Sequence, residues 1–342
     1  MRRFCSLIAV LLLSAAAICA AQLEVHFVDV GQGDAIVLRT ADALVVVDAG
    51  QHDELASYLA EIGVDAVDLV IATHGHADHI GGLEAVFERF PVRQVWYNGQ
   101  THTTRTFERV IDAVLASDAD YREPGKGEQA MFCGLVLTVL HPLASAADYD
   151  GHLHDMNIVV RAEYGDFSVL LTGDAEAEVE RQLIAAAVEL GSTVLKLGHH
   201  GSRTSSSAAF LQAVDPEVVV YQAGIDNRYG HPHPEVLLRV QRLLNAEIYG
   251  TDLHGTVVIT SDGLNYQVST VRASDAIAAA CIDINSASLD ELTQIIHIGE
   301  ARARRLIELR PFDSTSALRR IHGIGAARLN DIREQGLVCP IE

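Results

Sequence analysis

Residues 73–82 read THGHADHIGG and follow directly on the apolar run VDLVIA. His74, His76, Asp78 and His79 put four metal-ligand side chains within six residues. VDLVIAT has the length and β-branched content of a buried strand, and GGLEAVFERF has helical spacing. The stretch is therefore a strand-to-helix junction. In extended backbone, side chains two apart point the same way, so His74 and His76 face one locus. Asp78 and His79 follow where the chain turns, and face a neighbouring locus. One histidine in a loop is explained by solvation. Four ligand-type residues at such a junction, followed by Gly81-Gly82, predict half of a site for two divalent metal ions. Imidazole points to zinc, and the carboxylate admits zinc or manganese. The other half must come from elsewhere in the chain.

Outward from this junction, β-rich runs alternate with helical stretches. LEVHFVDV, DAIVLRT and ALVVVDAG read as three opening strands, and DELASYLAEIG as a helix. VRQVWYN, LVLTVLHP, NIVVRAEYGDFSVLLTGD, STVLKLGHH, EVVVYQAG and HGTVVITSDG read as later strands. AEAEVERQLIAAAVEL, SAAFLQAV and PEVLLRVQRLL read as the helices between them. This alternation predicts an α/β sandwich over residues 22–272, with helices outside two mixed sheets. Residues 273–280 read as a linker. Over 281–342 the strand pattern stops, and short helices fit SLDELTQI, EARARRLIELR, STSALRRI and AARLNDIREQG. IIHIGEARARRLIE and IHGIGAARLNDIR echo each other, with Gly299 and Gly325 in matching places, so a helix–turn–helix unit is duplicated.

The formal net charge of −21 over 342 residues argues against a generic nucleic-acid coat. That charge is uneven. Residues 281–342 carry eight arginines against nine acidic residues, a net of −1, which leaves −20 on the first 280. The opening MRRFCSLIAVLLLSAAAICAAQ has the layout of a secretory signal peptide over 1–21, with cleavage after Ala21. Its apolar run is short for a membrane anchor, and Ile18 disfavours a lipoprotein site at Cys19. The expectation is a mature chain that works outside the cytoplasm, secreted or periplasmic, without stable membrane insertion. In such an oxidising compartment Cys281 and Cys339, which bracket the C-terminal segment, are expected to form a disulfide. Cys133 in MFCGLVLTVL reads as a buried strand residue.

HGHADH matches the HxHxDH signature of the metallo-β-lactamase fold, and the surrounding segments extend the resemblance. FVDVGQGDAIVLRT, VVVDAG, NIVVRAEYGDFSVLLTGDAE, VLKLGHHGSRTSS and NRYGHPHPEVL resemble the hydrolase domain of ComEC/Rec2-type competence proteins. The resemblance covers about residues 22–272. It implies that His74, His76 and a third histidine hold one metal, and that Asp78 and His79 serve the second. Asp174, closing the strand SVLLTGD, becomes the bridging carboxylate. His154 is taken as the third histidine over His152 because it lies nearer the strand start at Asn157. The ComEC-like branch often has asparagine there and an acidic residue in place of His76, so this chain carries a fuller zinc-hydrolase set. By the same analogy His231 goes to the second metal, while His199 and His200 contact or protonate the substrate; the reverse assignment stays open. Ser202 and Thr204 are either hydrogen-bond donors or caps. His26, His52, His102, His254, His297 and His322 match no motif and read as structural or surface residues.

The C-terminal segment resembles the paired helix–hairpin–helix domain of ComEA-type DNA receptors. Glycine at the head of a helix lets backbone N–H groups approach a DNA phosphate without reading sequence. Gly323, Ile324 and Gly325 fit this hairpin. Ile298 and Gly299 form the first, where His297 replaces the usual glycine. Arg302, Arg304, Arg305, Arg319, Arg320 and Arg328 would supply the electrostatic term. The expectation is thus an exported, two-metal phosphodiesterase acting non-specifically on DNA, with a tethered DNA-binding module. Two alternatives stay open. One is a hydrolase of another phosphodiester, such as phosphorylcholine esters on cell-surface polymers, and the other is a non-catalytic DNA receptor.

Overall fold

A computed structural model of the chain describes residues 22–144, 152–273 and 281–339. The expected leader and nearly all of the expected linker lie outside the described residues. The chain opens with β1 (Leu23–Phe27), β2 (Ala35–Arg39) and β3 (Leu44–Ala49), an antiparallel meander. Helix α1 (Glu54–Glu61) leads to β4 (Leu69–Ala72), parallel to β3. The short α2 (Ala77–Ile80) and α3 (Leu83–Arg89) follow. Next come β5 (Gln94–Tyr97), α4 (Arg105–Ala116) and β6 (Asp120–Arg122), with both strands again parallel to their predecessor.

A second sheet begins with β7 (Gln129–Phe132), β8 (Leu135–His141), β9 (Val159–Tyr164) and β10 (Phe167–Leu171), all antiparallel. Parallel strands then alternate with helices. These are α5 (Ala177–Ala185), β11 (Val194–Lys196), α6 (Ala208–Val214), β12 (Val218–Tyr221), α7 (Pro234–Leu243) and β13 (Glu247–Gly250). After α8 (Thr251–His254), β14 (Val257–Ser261) and β15 (Tyr266–Thr270) return to the first sheet beside β1. The sheets run β15-β14-β1-β2-β3-β4-β5-β6 and β13-β12-β11-β10-β9-β8-β7.

Three apolar layers hold this arrangement. Phe27, Leu38, Val47, Ile71 and Trp96 meet Leu137, Val160, Val169 and Val220 between the sheets. Leu55, Leu59, Val86, Phe107 and Val110 seal helices against the first sheet; Val179, Leu183, Phe210 and Val236 do so on the second. β3 and β10 are buried along their whole length, which explains why both read as unbroken apolar runs. The result is a four-layered αββα sandwich. Crossover connections bring the carboxyl ends of β3, β4, β10, β11 and β12 to one rim, where the site lies.

Some local features differ from the expectation. Helix α4, capped by Thr104 accepting from Phe107 N, was hidden in a polar stretch whose apolar face is only Phe107, Val110 and Val114. β6 is fully exposed, so its pattern carries no burial signal. Cys133 is not a buried strand residue. It sits exposed in the β7–β8 turn with φ of 22°, beside Gly134.

The C-terminal segment folds around its own core of Ile284, Leu292, Ile298, Leu306, Phe312, Leu318, Ile324 and Ile332. Its helices are α9 (Leu289–Thr293), α10 (Glu300–Glu308) and α11 (Ala326–Gln335). STSALRRI forms a 3-10 turn over Thr315–Arg320 in place of an α-helix. Cys281 and Cys339 are disulfide-bonded, and Ile282 bridges Val338 beside them. Leu238 of α7 packs into this core and Arg242 donates to the Gly336 carbonyl at 2.6 Å, which docks the segment against the sandwich.

Candidate metal centre

Residues 73–79 leave the buried strand β4 and turn immediately into α2, which aims three imidazoles at the same rim. His74 Nε2 lies 2.9 Å from His76 Nδ1, and His154 Nε2 lies 3.1 Å from that same nitrogen. A tetrahedral zinc with Zn–N bonds of about 2.05 Å holds its ligand nitrogens about 3.3 Å apart, so this spacing suits a shared cation. Asp174 Oδ2 lies 3.7 Å from His74 and 3.6 Å from His154. His74, His76, His154 and Asp174 thus form one ligand group.

A second group gathers on the other carboxylate oxygen. His79 Nε2 lies 3.2 Å and His200 Nε2 3.5 Å from Asp174 Oδ1, while His200 Nε2 is 3.4 Å from Asp78. Asp34 completes a cluster with His79, Asp174 and His200. Asp174 therefore stands between two groups, as a bridging ligand does. Nε2 of His79 and of His200 and Oδ1 of Asp174 are buried without a satisfactory hydrogen bond. Orphaned polar atoms of this kind are costly unless a cation completes them. The donor set fits two divalent ions.

The electrostatics agree. Burial, together with the neighbouring His154 and His79, pushes His76 down to about 4, and burial holds His74 and His154 below the ordinary histidine range. These rings stay in the neutral form that ligates metals. Burial opposes the charged forms of His79 and His200 too, yet Asp174 with Asp48 lifts His79 well above its usual value, and Asp174 with Asp34 lifts His200 to about 9. The second pocket favours positive charge. Despite burial, His79 and His200 keep the Asp174 carboxyl well below the usual carboxylate range.

The second group gathers His200 and not His231, which reverses the assignment taken first from the resemblance and is the alternative left open there. The reason is backbone geometry. His199 and His200 both adopt left-handed conformations (φ of 49° and 57°), which swing the His200 ring into the core. His231, on the loop after β12, has its ring centroid 6.0 Å from that of His200 and 5.4 Å from that of His199. His199 faces the rim, with Nε2 3.7 Å from Asp174 and Nδ1 3.1 Å from Glu176. Thr204 also donates to Glu176 at 2.8 Å and shares a contact with Ser202, so these two hydroxyls organise the His199 turn. His102, read as a surface residue, lines the cavity 5.9 Å from the His76 ring.

Four supporting residues escaped sequence reading. Asp48 bonds His79 Nδ1 at 2.7 Å and also accepts from Thr73 N and Oγ1. Asp34 lies 3.0 Å from His200 Nδ1 and 2.6 Å from the fully buried Lys196 Nζ. Glu176 sits between His154 and His199. Gln222 donates to the carbonyls of Val28 and Ala35 and accepts His200 on its own carbonyl, which joins the two sheets beneath the site. The signals were the acids closing ALVVVDA and following GQG. Gly33 has a backbone reason, since a Cβ there would sit 2.2 Å from the Asp78 carbonyl. Its absence lets the loop before β2 donate Asp34 N to that carbonyl at 3.1 Å.

In the C-terminal segment, Gly299 and Gly325 cap α10 and α11, and Ile298 and Ile324 are buried in its core. Arg302 donates to the His297 and His322 carbonyls, and Arg328 to the Gly323 carbonyl. These guanidiniums brace the hairpins while remaining accessible. His297 adopts φ of 65°, the conformation its glycine counterpart would favour, and pairs with Asp331 at 2.6 Å.

Residues 28–224 match the metallo-beta-lactamase superfamily and residues 278–335 the helix-hairpin-helix motif. The chain is 29% identical over 255 residues to ComE operon protein 3 of Bacillus subtilis, covering 68% of this chain and 32% of that protein. It is 31% identical over 237 residues to competence protein ComA of Neisseria gonorrhoeae, covering 67% and 31%. A deoxyribonuclease of Thioalkalivibrio is 40% identical over 86 residues, 25% of this chain and 24% of that one. The match to the two competence proteins spans only about a third of their length. With its ligand groups on the rim of an αββα sandwich and its sequence matched over most of that sandwich, the chain belongs to the metallo-beta-lactamase superfamily.

Proposed function

We propose that this chain is an exported, binuclear metal-dependent phosphodiesterase that cleaves DNA without sequence preference. One observation carries the reading: a two-group His/Asp centre and a pair of glycine-capped hairpins occur on the same chain. Catalytic machinery of this fold serves many substrates, so the hairpins supply the argument for DNA. Names of relatives add support, in that two are competence proteins and one a deoxyribonuclease.

His74, His76 and His154 would hold one ion, Asp78, His79 and His200 the other, with Asp174 between them. The ions supply Lewis acidity and a water acidified towards neutral pH. The chain's own contribution is placement. Asp48 fixes the tautomer of His79 through Nδ1, and the Gln222 carbonyl, with the Asp34 carboxylate beside it, does so for His200. His199, oriented by Glu176, and His231, kept neutral by burial and pushed down to about 3, face the cleft and are placed to hydrogen-bond a phosphodiester there. At the second hairpin, the backbone N–H groups heading α11 would take a phosphate, with Arg302 and Arg328 beside them.

Incubation of the exported chain with supercoiled plasmid and zinc or manganese tests this. The expected result is metal-dependent nicking by the wild type and none by His74→Ala/Asp78→Ala. Intact plasmid and intact single-stranded oligonucleotide in every lane, with DNA still bound, would refute the nuclease reading. Cleavage of a phosphorylcholine ester in its place would favour the other phosphodiester, which the −20 charge on the first 280 residues makes worth assaying.

A further inference from the structure

The cleft above the ligand groups, about 620 Å³, has one side made by the loop after β12. Three side chains on that loop form a stack. The Tyr229 ring lies nearly parallel to the His231 ring, with centroids 5.6 Å apart and planes 21° from parallel. The Arg228 guanidinium lies over the Tyr229 ring, its Cζ 4.8 Å from the ring centroid, and donates to the Tyr229 hydroxyl at 2.6 Å. Tyr229 is 47% exposed although its ring is large and apolar.

The stack is also held rigidly. Asn227 donates to the carbonyls of Gly224 and His231 and accepts from the backbone N–H of Tyr229 and His231. All four bonds span the loop, so Tyr229 is presented rather than left to wander. Arg228 is the one lysine or arginine among the described residues that line the cleft. Holding a duplex by its backbone takes several phosphate contacts, which one arginine does not offer. An aromatic ring with a guanidinium over it instead suits the flat face of a base freed from its stack.

We propose that Arg228, Tyr229 and His231 form a platform for a nucleobase flanking the scissile phosphate. It rests on the DNA-hydrolase reading above and adds that the cleft grips a base, not only a phosphate chain. His231 then lies between the rings of His199 and His200 and that of Tyr229, and sets the distance between the base and the centre. Tyr229 is a positioning residue for the substrate.

Two measurements on the full chain test this. The first is cleavage of a single-stranded oligonucleotide with and without a base at the position flanking the cut. Wild type is expected to lose about tenfold in kcat/KM when the base is removed, through KM. Tyr229→Ala should lose a similar factor on the intact oligonucleotide and be indifferent to base removal, while Tyr229→Phe keeps most of the effect. Equal rates on both substrates for wild type, with Tyr229→Ala unimpaired, would overturn the platform. The second is quenching of a 2-aminopurine dinucleotide, which needs no turnover. Quenching that Tyr229→Ala abolishes supports the platform even if no DNA is cut, in which case the nuclease reading alone fails. Absence of quenching by wild type counts against the platform whatever the nuclease assay gives.

Discussion

Asp48 Oδ2 lies 2.7 Å from His79 Nδ1, and both side chains are almost wholly buried. Asp48 holds that position with a left-handed backbone, φ of 57°, and with two bonds from Thr73. It therefore fixes which nitrogen His79 turns toward Asp174. Asp48→Ala is expected to weaken one of two metal equivalents by about 10- to 100-fold. Metal content after dialysis against graded chelator checks this; retention of both ions at wild-type affinity would contradict it.

Lys196 and Asp34 form a buried pair that ties the end of β11 to the start of β2, across the sandwich. Removing one partner leaves an uncompensated buried charge. Lys196→Met should cost about 3–5 kcal/mol in urea unfolding, and the double change Lys196→Met/Asp34→Leu should recover part of that. A single substitution without loss of stability would show that the pair is not holding the rim.

The Cys281–Cys339 bond closes a chain separation of 58 residues around a small core. Loop-closure entropy over such a length corresponds to about 4 kcal/mol. Reduction, or Cys281→Ser/Cys339→Ser, should unfold the helical module at lower temperature while the sandwich transition stays put. Helix signal unchanged by reductant would argue against this.

Gly323 has φ of 84°, and a Cβ there would come 2.8 Å from Arg302 Nη2. Gly323→Val strains the second hairpin by roughly 1–2 kcal/mol and moves Arg302. DNA binding should fall several-fold, and turnover of a small chromogenic phosphodiester should not change. A parallel loss on both substrates would mean that the module supports the centre structurally.

Much of this was legible because burial writes itself into sequence. β3, β4 and β10 are covered on both faces, so they appear as unbroken apolar runs, and Asp174 after β10 stands out. HGHADH declared itself because four ligand-type side chains fall within six residues. What chain spacing does not encode is which of two distant histidine pairs reaches the core. That choice depended on the left-handed turn at His199-His200, which no residue pattern announces in a non-glycine pair. Asp34 was overlooked because an acid after a turn usually faces water, and Asp48 because the run ALVVVDAG does not say that its acid turns toward a distant histidine. Strand β6 is fully exposed and left no burial pattern to find, whereas helix α4 does carry Phe107, Val110 and Val114 at helical spacing, within a stretch that is otherwise polar.

Metal-dependent cleavage is the most direct test of the central claim. The chain, stripped with chelator, is titrated with zinc or manganese while the initial rate on labelled DNA is followed. The rate should rise from zero and level off at two equivalents per chain, and His74→Ala/Asp78→Ala should stay at zero throughout. A rate that survives chelation, or no cleavage at any metal concentration, would contradict the account.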